Sequence, residues 1–176
     1  STTSEEPATD GYVIEDVEEL AATIINKNAD IAINEITNFF NLTTEPEIID
    51  ITFDETPRYS YSWKTHSAIE GFDISCFAFS VEGSKDGTVR SVYFYDDLYE
   101  IGEYETGDNL LYGIRSTADE LYNKIVSDHT EIEPGKLMSS GNEYCKAFET
   151  KCGEMYITTT GRTVDVAFYP EGSIEH

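Results

Sequence analysis

Hydrophobic positions follow a helical period near the start of the chain. After the first dozen residues, the apolar side chains recur at the i, i+3, i+4 spacing of one buried helix face: Val17, Leu20, Ala21, Ile24 and Ile25. Asp16 with Glu19 resembles a capping box. The pattern falters at "NKNAD" and resumes at Ile31. One kinked helix or two short helices would fit, with Asn28 or Asp30 able to cap the second.

From "EPEIID" onward the hydrophobic period changes to two, which predicts strands. Two sets of residues each share a face: Ile49, Ile51 and Phe53, and then Tyr59, Tyr61 and Trp63. The turn "GSKDG" predicts a hairpin in which Asp86-Gly87 supplies positive φ. The first strand of that hairpin carries apolar residues on both faces, which places it in the interior of a sheet.

A later helix and three final strands complete the pattern. Ser116 and Asp119 resemble a second capping box, and they precede an apolar stripe. The stripe consists of Ala118, Leu121, Tyr122, Ile125 and Val126. The segments "NEYCKAFET", "EMYITTT" and "TVDVAFYP" read as strands, and Gly161-Arg162 suits a type II′ turn between the last two.

This order of elements predicts the α+β class. An N-terminal helix or helix pair and one later helix pack on a mainly antiparallel sheet of about six to seven strands. Helices followed by strands occur twice, which suggests an internal duplication, although no residue-level repeat supports one. We therefore expect a single domain over 13–176, preceded by a flexible polar linker over 1–12.

Charge narrows the classes of partner. The chain of 176 residues has 11 Lys and Arg against 35 Asp and Glu, a formal net charge of −24. Such a surface repels phosphate backbones and anionic lipid headgroups, so it disfavours nucleic acid, and it attracts basic proteins or peptides. No apolar run approaches the roughly 18–20 residues of a membrane-spanning helix, so we expect no integral membrane segment.

The N-terminal composition indicates a compartment. The opening "STTSEEPATDG" has the composition of a linker, and such a tether commonly follows a secretion signal or lipid anchor. We therefore expect an exported protein, extracellular or at the cell surface. An acidic tail on an intracellular protein is the alternative.

Motifs for cofactors and metals are missing. The sequence has no glycine-rich phosphate cradle, no HExxH, CxxC or GxSxG and no EF-hand loop, and its three histidines are not spaced like zinc ligands. We predict no cofactor, no metal and no assignable catalytic residue. Cys76 lies in the apolar stretch "DISCFAF", which favours a buried thiol over a nucleophile.

One acidic, tyrosine-rich segment is the candidate binding site. Tyrosine supplies contact area at low entropic cost, and clustered acids complement basic partners, while aromatic residues beside acids also suit a carbohydrate. The predicted binding residues are Tyr95, Asp96, Asp97, Tyr99, Glu100, Glu103 and Tyr104.

The stretch "YCKAFETKCG" suggests a disulfide. If Cys145 and Cys152 lie on either side of a tight reversal, cross-strand pairing brings them within bonding range. An exported protein retains such a bond, and it would add about 2–3 kcal/mol.

Two functions of different classes follow from these patterns. The first is an exported, non-enzymatic binding domain with an acidic surface, with surface tethering left open. The alternative is a carboxylate-dependent hydrolase acting on a sugar or another neutral substrate. An acidic decoy that occupies a nucleic-acid site on a basic protein is a third possibility, against which the expectation of export weighs.

Overall fold

The computed structural model describes residues 11–97, 108–140 and 144–176, with the backbone alone for 108–112. The helices are α1 (Ile14–Ile24), α2 (Ala29–Phe40), α3 (Asp108–Ile125) and α4 (Lys136–Ser139). The strands are β1 (Gly11–Tyr12), β2 (Glu47–Asp50), β3 (Arg58–Lys64), β4 (Ala68–Ile69), β5 (Phe72–Asp73), β6 (Cys76–Glu82), β7 (Thr88–Asp97), β8 (Glu131–Ile132), β9 (Cys145–Thr150), β10 (Gly153–Thr160) and β11 (Thr163–Pro170).

The strands form one large sheet and one small one. The large sheet has eight strands in the order β2-β3-β6-β7-β11-β10-β9-β8, and every neighbouring pair in it is antiparallel. The small sheet, β1-β4-β5, is mixed, with β1 parallel to β4. The predicted α+β class with a mainly antiparallel sheet is confirmed, and the strand count exceeds the prediction.

The large sheet is built from two halves. Strands β2, β3, β6 and β7 run inward from one edge in chain order, and β8, β9, β10 and β11 run inward from the other. The two series meet where β7 pairs with β11. Helices α1 and α2 precede the first series and α3 precedes the second, so each half has helices followed by a four-stranded meander.

Helices α1, α2 and α3 cover one face of this sheet. Alternate strand residues point toward them, and these form one continuous buried cluster with the apolar helix residues. The largest fully buried strand side chains of this cluster are Phe77, Phe79, Phe94, Phe148 and Phe168. Trp63 also lies in the cluster, 2% exposed, and its Nε1 donates a hydrogen bond to the Thr44 carbonyl at 3.1 Å.

The first helical segment is two helices, the second of the predicted arrangements. Asn28 caps α2, since its Oδ1 accepts a hydrogen bond from the Ile31 amide at 3.2 Å. The capping box at Asp16 is wrong because α1 begins earlier, after Val13. A distant carboxylate serves that helix start instead: the Ile14 amide donates to Glu70 Oε2 at 2.8 Å.

The capping box at Ser116 is also wrong. Helix α3 begins at Asp108, so Ser116 lies inside it. The apolar stripe is nevertheless correct, since Ala118, Leu121 and Ile125 are buried. Periodicity located the buried face, whereas a short cap motif did not locate the helix start.

A glycine with positive φ lies in each of the two predicted hairpin turns, but in the first turn it is not at the predicted position. In the β6–β7 loop, Gly83 has the positive φ, 105°, rather than Asp86 or Gly87. In the β10–β11 turn, Gly161 has a φ of 62°, while Arg162 is not among the described residues with positive φ. One positive φ at the first turn position fits the predicted type II′ turn.

A buried polar pair connects the two halves. Glu18 on α1 meets His129, which follows α3, with 3.0 Å between Glu18 Oε1 and His129 Nε2, and both side chains are less than a tenth exposed. The other Glu18 oxygen accepts a hydrogen bond from the Lys151 amide in the β9–β10 turn at 2.9 Å. One carboxylate thereby holds α1 against two segments of the C-terminal half.

The predicted Cys145–Cys152 disulfide is wrong. All three cysteines have free thiols. Strand β9 runs the whole way from Cys145 to Thr150, and Cys152 lies in the turn beyond it, so Cys145 pairs with Thr158. The strand alone separates the two residues by about 17 Å, whereas a disulfide requires Cα atoms within roughly 7 Å.

The N-terminal boundary also shifts. Gly11 and Tyr12, which fall within the predicted linker, form strand β1. The rest of the predicted linker, 1–10, lies outside the described residues. No helix in the described part of the chain is long and apolar enough to cross a membrane.

Candidate functional site

The candidate site lies on the sheet face opposite helices α1, α2 and α3. The strand residues that alternate with the core residues point to this side, which we call the open face. Short side chains dominate its centre: Ser60, Ala78, Ser80, Ser91 and Ala167. Register places Ser80 between Ser60 and Ser91, and Tyr93 between Ala78 and Ala167.

A cavity of about 590 Å³ opens over this floor. Its walls are long side chains from segments outside the central strands: Ile51 and Phe53 after β2 on one side, and Met138 of α4 with Ile174 near the C-terminus on the other. Serine and alanine fill little volume above the sheet, so the longer residues around them enclose a space. The cavity therefore follows from the choice of short residues at central positions.

An apolar stripe borders the cavity. Ile49, Ile51 and Phe53 are 46%, 39% and 82% exposed. Ile49 pairs with Ser60, which places it on the open face, and the two others line the cavity. The three residues that the sequence predicts to share a face therefore lie together on the open face.

Asp165 of β11 lies on the cavity floor. Its Oδ2 accepts hydrogen bonds from the hydroxyls of Thr160 and Thr163, both at 2.8 Å. No described residue donates to its Oδ1. Burial raises the pKa of Asp165, and the negative charge of Asp97 adds to the effect, although the threonine bonds oppose it.

Three tyrosines surround Asp165 on the open face. Tyr95 lies directly opposite Asp165 on β7. Tyr93 lies opposite Ala167, the next residue of β11 on the open face, and Tyr169 is the open-face residue after Ala167. Burial raises the pKa of Tyr93 and Tyr95, and that of Tyr169 to about 12. The Tyr93 hydroxyl lies 2.5 Å from Ser60 Oγ. All three rings are therefore neutral at physiological pH, and each offers a polar hydroxyl on an apolar body.

Two arginines reach the cavity, and both are held by groups of the same chain. Arg58 Nε lies 3.3 Å from Glu82 Oε2, and its guanidinium also pairs with Asp54 at 3.7 Å. The same guanidinium sits over the ring of Phe53, 5.4 Å from the centroid. Arg90 donates to Asn26 Oδ1 at 3.2 Å. The Arg58 charge is compensated locally, and its stem supports the exposed Phe53 ring.

The predicted binding residues fall into three groups. Tyr95 lies on the open face beside Asp165. Asp96 and Asp97 belong to the end of β7 and are 4% and 5% exposed. Asp97 pairs with Arg162 at 3.2 Å. The remaining four, Tyr99, Glu100, Glu103 and Tyr104, lie outside the described residues.

The residues that build the cavity were missed at the sequence level. Asp165 appeared only within the predicted strand "TVDVAFYP", and Phe53 only as a member of the alternating set with Ile49 and Ile51. Two signals could have found them: a carboxylate at a period-two position between apolar residues, and short residues aligned on neighbouring strands. The second signal needs the register, which a single sequence does not provide.

Metal chemistry has no support in the described residues, where no group of three or more His, Cys, Asp or Glu side chains could hold an ion. Comparisons with protein-family models, curated proteins and solved structures find no match to this chain.

Proposed function

We propose that this protein is a non-enzymatic binding domain whose open face docks a basic segment of a partner protein. One observation carries the proposal: an apolar stripe with no core beneath it runs directly into a cavity lined by tyrosines. Single exposed apolar residues are ordinary, but contiguous ones beside a concave site mark a place of contact.

The dimensions and chemistry of the cavity support this function. Its volume of about 590 Å³ falls within the range of ligand sites. Tyrosine rings and an exposed phenylalanine supply apolar contact area, and the serine and threonine hydroxyls supply orienting hydrogen bonds. Several side chains of a peptide segment would fill such a space.

Charge selects the class of partner. The net charge of −24 favours encounter with basic surfaces. At the site itself, Arg58 is neutralised by its own carboxylates, whereas Asp165 has an oxygen without a donor among the described residues. A lysine- or arginine-bearing segment complements both the overall field and the floor of the cavity.

The experiment is a titration followed by amide chemical shifts. The probe is a ten-residue peptide of alternating lysine and leucine with one tryptophan, and its matched control replaces every lysine with glutamate. We expect the basic peptide to shift the amides of Tyr93, Ala167 and Ser91, and the acidic peptide to shift none. Shifts confined to the helical face, or equal shifts with both peptides, would refute the proposal.

A variant tests the location of binding. Ser80→Phe fills the cavity floor, and Ser127→Phe makes the same change at an exposed position after α3. We expect Ser80→Phe to abolish peptide binding while keeping the circular dichroism spectrum, and Ser127→Phe to bind normally. Unchanged binding by the Ser80 variant would exclude the cavity.

A carboxylate-dependent hydrolase is the second candidate, and one observation favours it. Burial raises the pKa of Asp165, as a general acid requires. Its nearest acidic neighbour, Asp97, is already paired with Arg162. Release of reducing ends from neutral oligosaccharides, lost in Asp165→Asn, would replace the binding proposal with this one.

Export is a separate part of the proposal. The disulfide that would have supported it does not form, so it rests on the linker-like composition of the N-terminal segment. Fractionation of the source cells with an antibody against the protein tests it. Recovery in the medium or in the surface fraction supports export, and recovery in the cytosolic fraction overturns it.

A further inference from the structure

We propose that Asp165 anchors a cationic group of the docked ligand, a primary ammonium or a guanidinium, within a box of tyrosines on the open face. This inference rests on the proposed function, because it names the chemistry at the floor of the same cavity. It assigns a specificity-determining role to a residue that the acidic segment 95–104 does not include.

The hydrogen bonds of Asp165 leave one oxygen for a ligand. Thr160 and Thr163 both donate to Oδ2, and their hydroxyls lie 2.6 Å from each other. This arrangement fixes the rotamer of the carboxylate and saturates one side of it. Oδ1 receives no donor from the described residues, although the side chain lines the cavity. Oδ1 is not among the buried side-chain atoms without a partner in the described part of the chain, so solvent reaches it. A cation entering the cavity would replace that water with a charge-assisted hydrogen bond.

The surrounding rings suit a cation better than a neutral group. Tyr95 faces Asp165 across the β7–β11 pair, and Tyr93 and Tyr169 line the same cavity. Ring faces attract ammonium and guanidinium groups, most strongly where water is displaced. Since the three phenols stay protonated, Asp165 is the anionic partner among them.

The nearby basic side chains of the protein are engaged elsewhere. Arg162 pairs with Asp97 at 3.2 Å, and Arg58 with Glu82 at 3.3 Å. Arg90 bonds Asn26. Neither arginine that lines the cavity pairs with Asp165, so a ligand cation meets a carboxylate held by the two threonine hydroxyls and by neither of these arginines.

The test uses three small probes of the same length: n-hexylammonium, hexanol and hexanoate. We expect hexylammonium to shift the amides of Asp165, Tyr95 and Ala167 at millimolar concentration. Hexanol cannot form the charge-assisted hydrogen bond, so its affinity should be about ten- to hundredfold lower than that of hexylammonium, and hexanoate should not bind. Equal affinity for hexylammonium and hexanol would overturn the inference.

Two variants separate charge from shape. Asp165→Asn keeps the volume and an acceptor for the threonines, and it should weaken hexylammonium about ten- to hundredfold while leaving hexanol unchanged. Asp128→Asn removes one exposed charge after α3 and should leave both affinities unchanged. An equal loss of hexylammonium affinity in both variants would show that the ligand responds only to the net negative charge of the protein, and this result would overturn the inference.

The pH dependence gives a third readout. Hexylammonium requires an ionised Asp165, so its affinity should fall as the pH drops through the raised pKa of that group. The titratable and charged groups that face it are Tyr93, Tyr95, Tyr169, Asp97 and Arg162. An affinity that stays constant from neutral pH down to pH 3 would contradict the assignment.

The probes and the peptide distinguish the two proposals. If the lysine peptide binds at the open face but hexylammonium does not, the proposed cation subsite is rejected and the proposed docking function is kept. If hexylammonium binds at Asp165 but the peptide does not, the docking function falls and a small-amine site remains.

Discussion

The two halves of this molecule share an order of strands but end differently at their outer edges. In the N-terminal half, edge strand β2 leaves Ile48 and Ile49 nearly half exposed, and the chain beyond it presents Phe53 to solvent. In the C-terminal half, edge strand β8 is only two residues long and has a glutamate, Glu131, as its exposed member. A short polar edge resists further pairing, whereas an apolar edge invites contact. The same meander thus ends in a short polar edge on one side and in an exposed apolar edge on the other.

The halves also differ in where they keep their aromatic residues. In the N-terminal half, Tyr61, Trp63 and Phe79 stack beneath the helices. The C-terminal half keeps Phe148 and Phe168 in the core, but it also places Tyr156 and Tyr169 on the opposite side, where the centroids of their rings lie 5.9 Å apart. Strand β7, at the junction, has aromatic residues on both faces of the sheet: Phe94 lies in the core and Tyr93 on the open face. Tyr93, Tyr95 and Tyr169 of the candidate site belong to β7 and β11, the two strands that meet at the junction.

The largest expected effect tests whether the halves share one core. Phe79→Ala and Phe168→Ala each remove a fully buried ring, one from each half, and each should lower the free energy of unfolding by about 3–5 kcal/mol. Because both rings belong to one buried cluster, urea unfolding followed by circular dichroism should show a single transition. Phe53→Ala is the matched control, since that ring is exposed, and should change little. Two separate transitions would show that the halves fold independently.

The next effect tests the connection between the halves. Glu18→Gln disturbs a buried carboxylate that binds both His129 and the Lys151 amide, and it should cost about 1–3 kcal/mol. Glu19→Gln, one residue along, removes only an exposed ion pair with Lys151 Nζ and should cost under about 1 kcal/mol. Thermal melts of the two variants measure the difference. Equal melting temperatures would mean that Glu18 does not hold the halves together.

A smaller effect concerns the junction at Asp165. Since burial raises the pKa of Asp165, the folded state holds its proton more tightly than the unfolded state does. Stability from this group is therefore present at low pH and lost as the pH rises through the raised pKa. Asp165→Asn should melt above the wild-type protein at pH 7, and the difference should vanish near pH 3.

Asp50 supplies the control of opposite sign. Hydrogen bonds from the amide and hydroxyl of Thr52 lower the pKa of Asp50. Its stabilising contribution is therefore present at neutral pH and lost as the pH falls through the lowered pKa. Asp50→Asn should melt slightly below the wild-type protein at pH 7. A rise in melting temperature for both variants would reflect only relief of the overall negative charge.

The smallest expected effect on stability compares the two edges. Ile49→Thr changes a partly exposed side chain and should alter the free energy of unfolding by less than about 0.5 kcal/mol, while lowering peptide binding. Ile132→Thr changes the single apolar residue of β8, which is less exposed than Ile49, so it should cost more stability without affecting binding. Denaturant melts and the peptide titration measure both. The reverse pattern would remove the distinction between a protected edge and a binding edge.

Periodicity made most of the fold predictable. The period of two around Tyr61 and Phe79 and the helical stripe through Leu121 depend only on which side chains face the core, and local sequence records that. Helix starts were less predictable because α1 is completed by Glu70, which is 56 residues away in the chain. A local motif cannot reveal a cap that arrives from another segment.

The candidate site was largely hidden from the sequence. The alternation at Ile49, Ile51 and Phe53 has the same appearance whether its face meets a core or solvent, since only the sheet order decides which. The cavity floor depends on short residues from four strands lying side by side. The disulfide prediction failed because Cys145 and Cys152 do not flank a turn. Cys145 is the first residue of β9, and Cys152 lies in the turn beyond the end of that strand.

The position of Trp63 makes the molecule its own optical reporter. Trp63 is the single tryptophan of the chain, and it lies under the helices of the N-terminal half rather than on the open face. Its emission should therefore shift to the red when that half unfolds and stay constant when a ligand without its own chromophore fills the cavity. Tyrosine absorbance should respond to both events, because Tyr93 and Tyr169 line the cavity and Tyr61 lies in the core. A change in tyrosine absorbance at constant tryptophan emission would therefore report occupancy without unfolding.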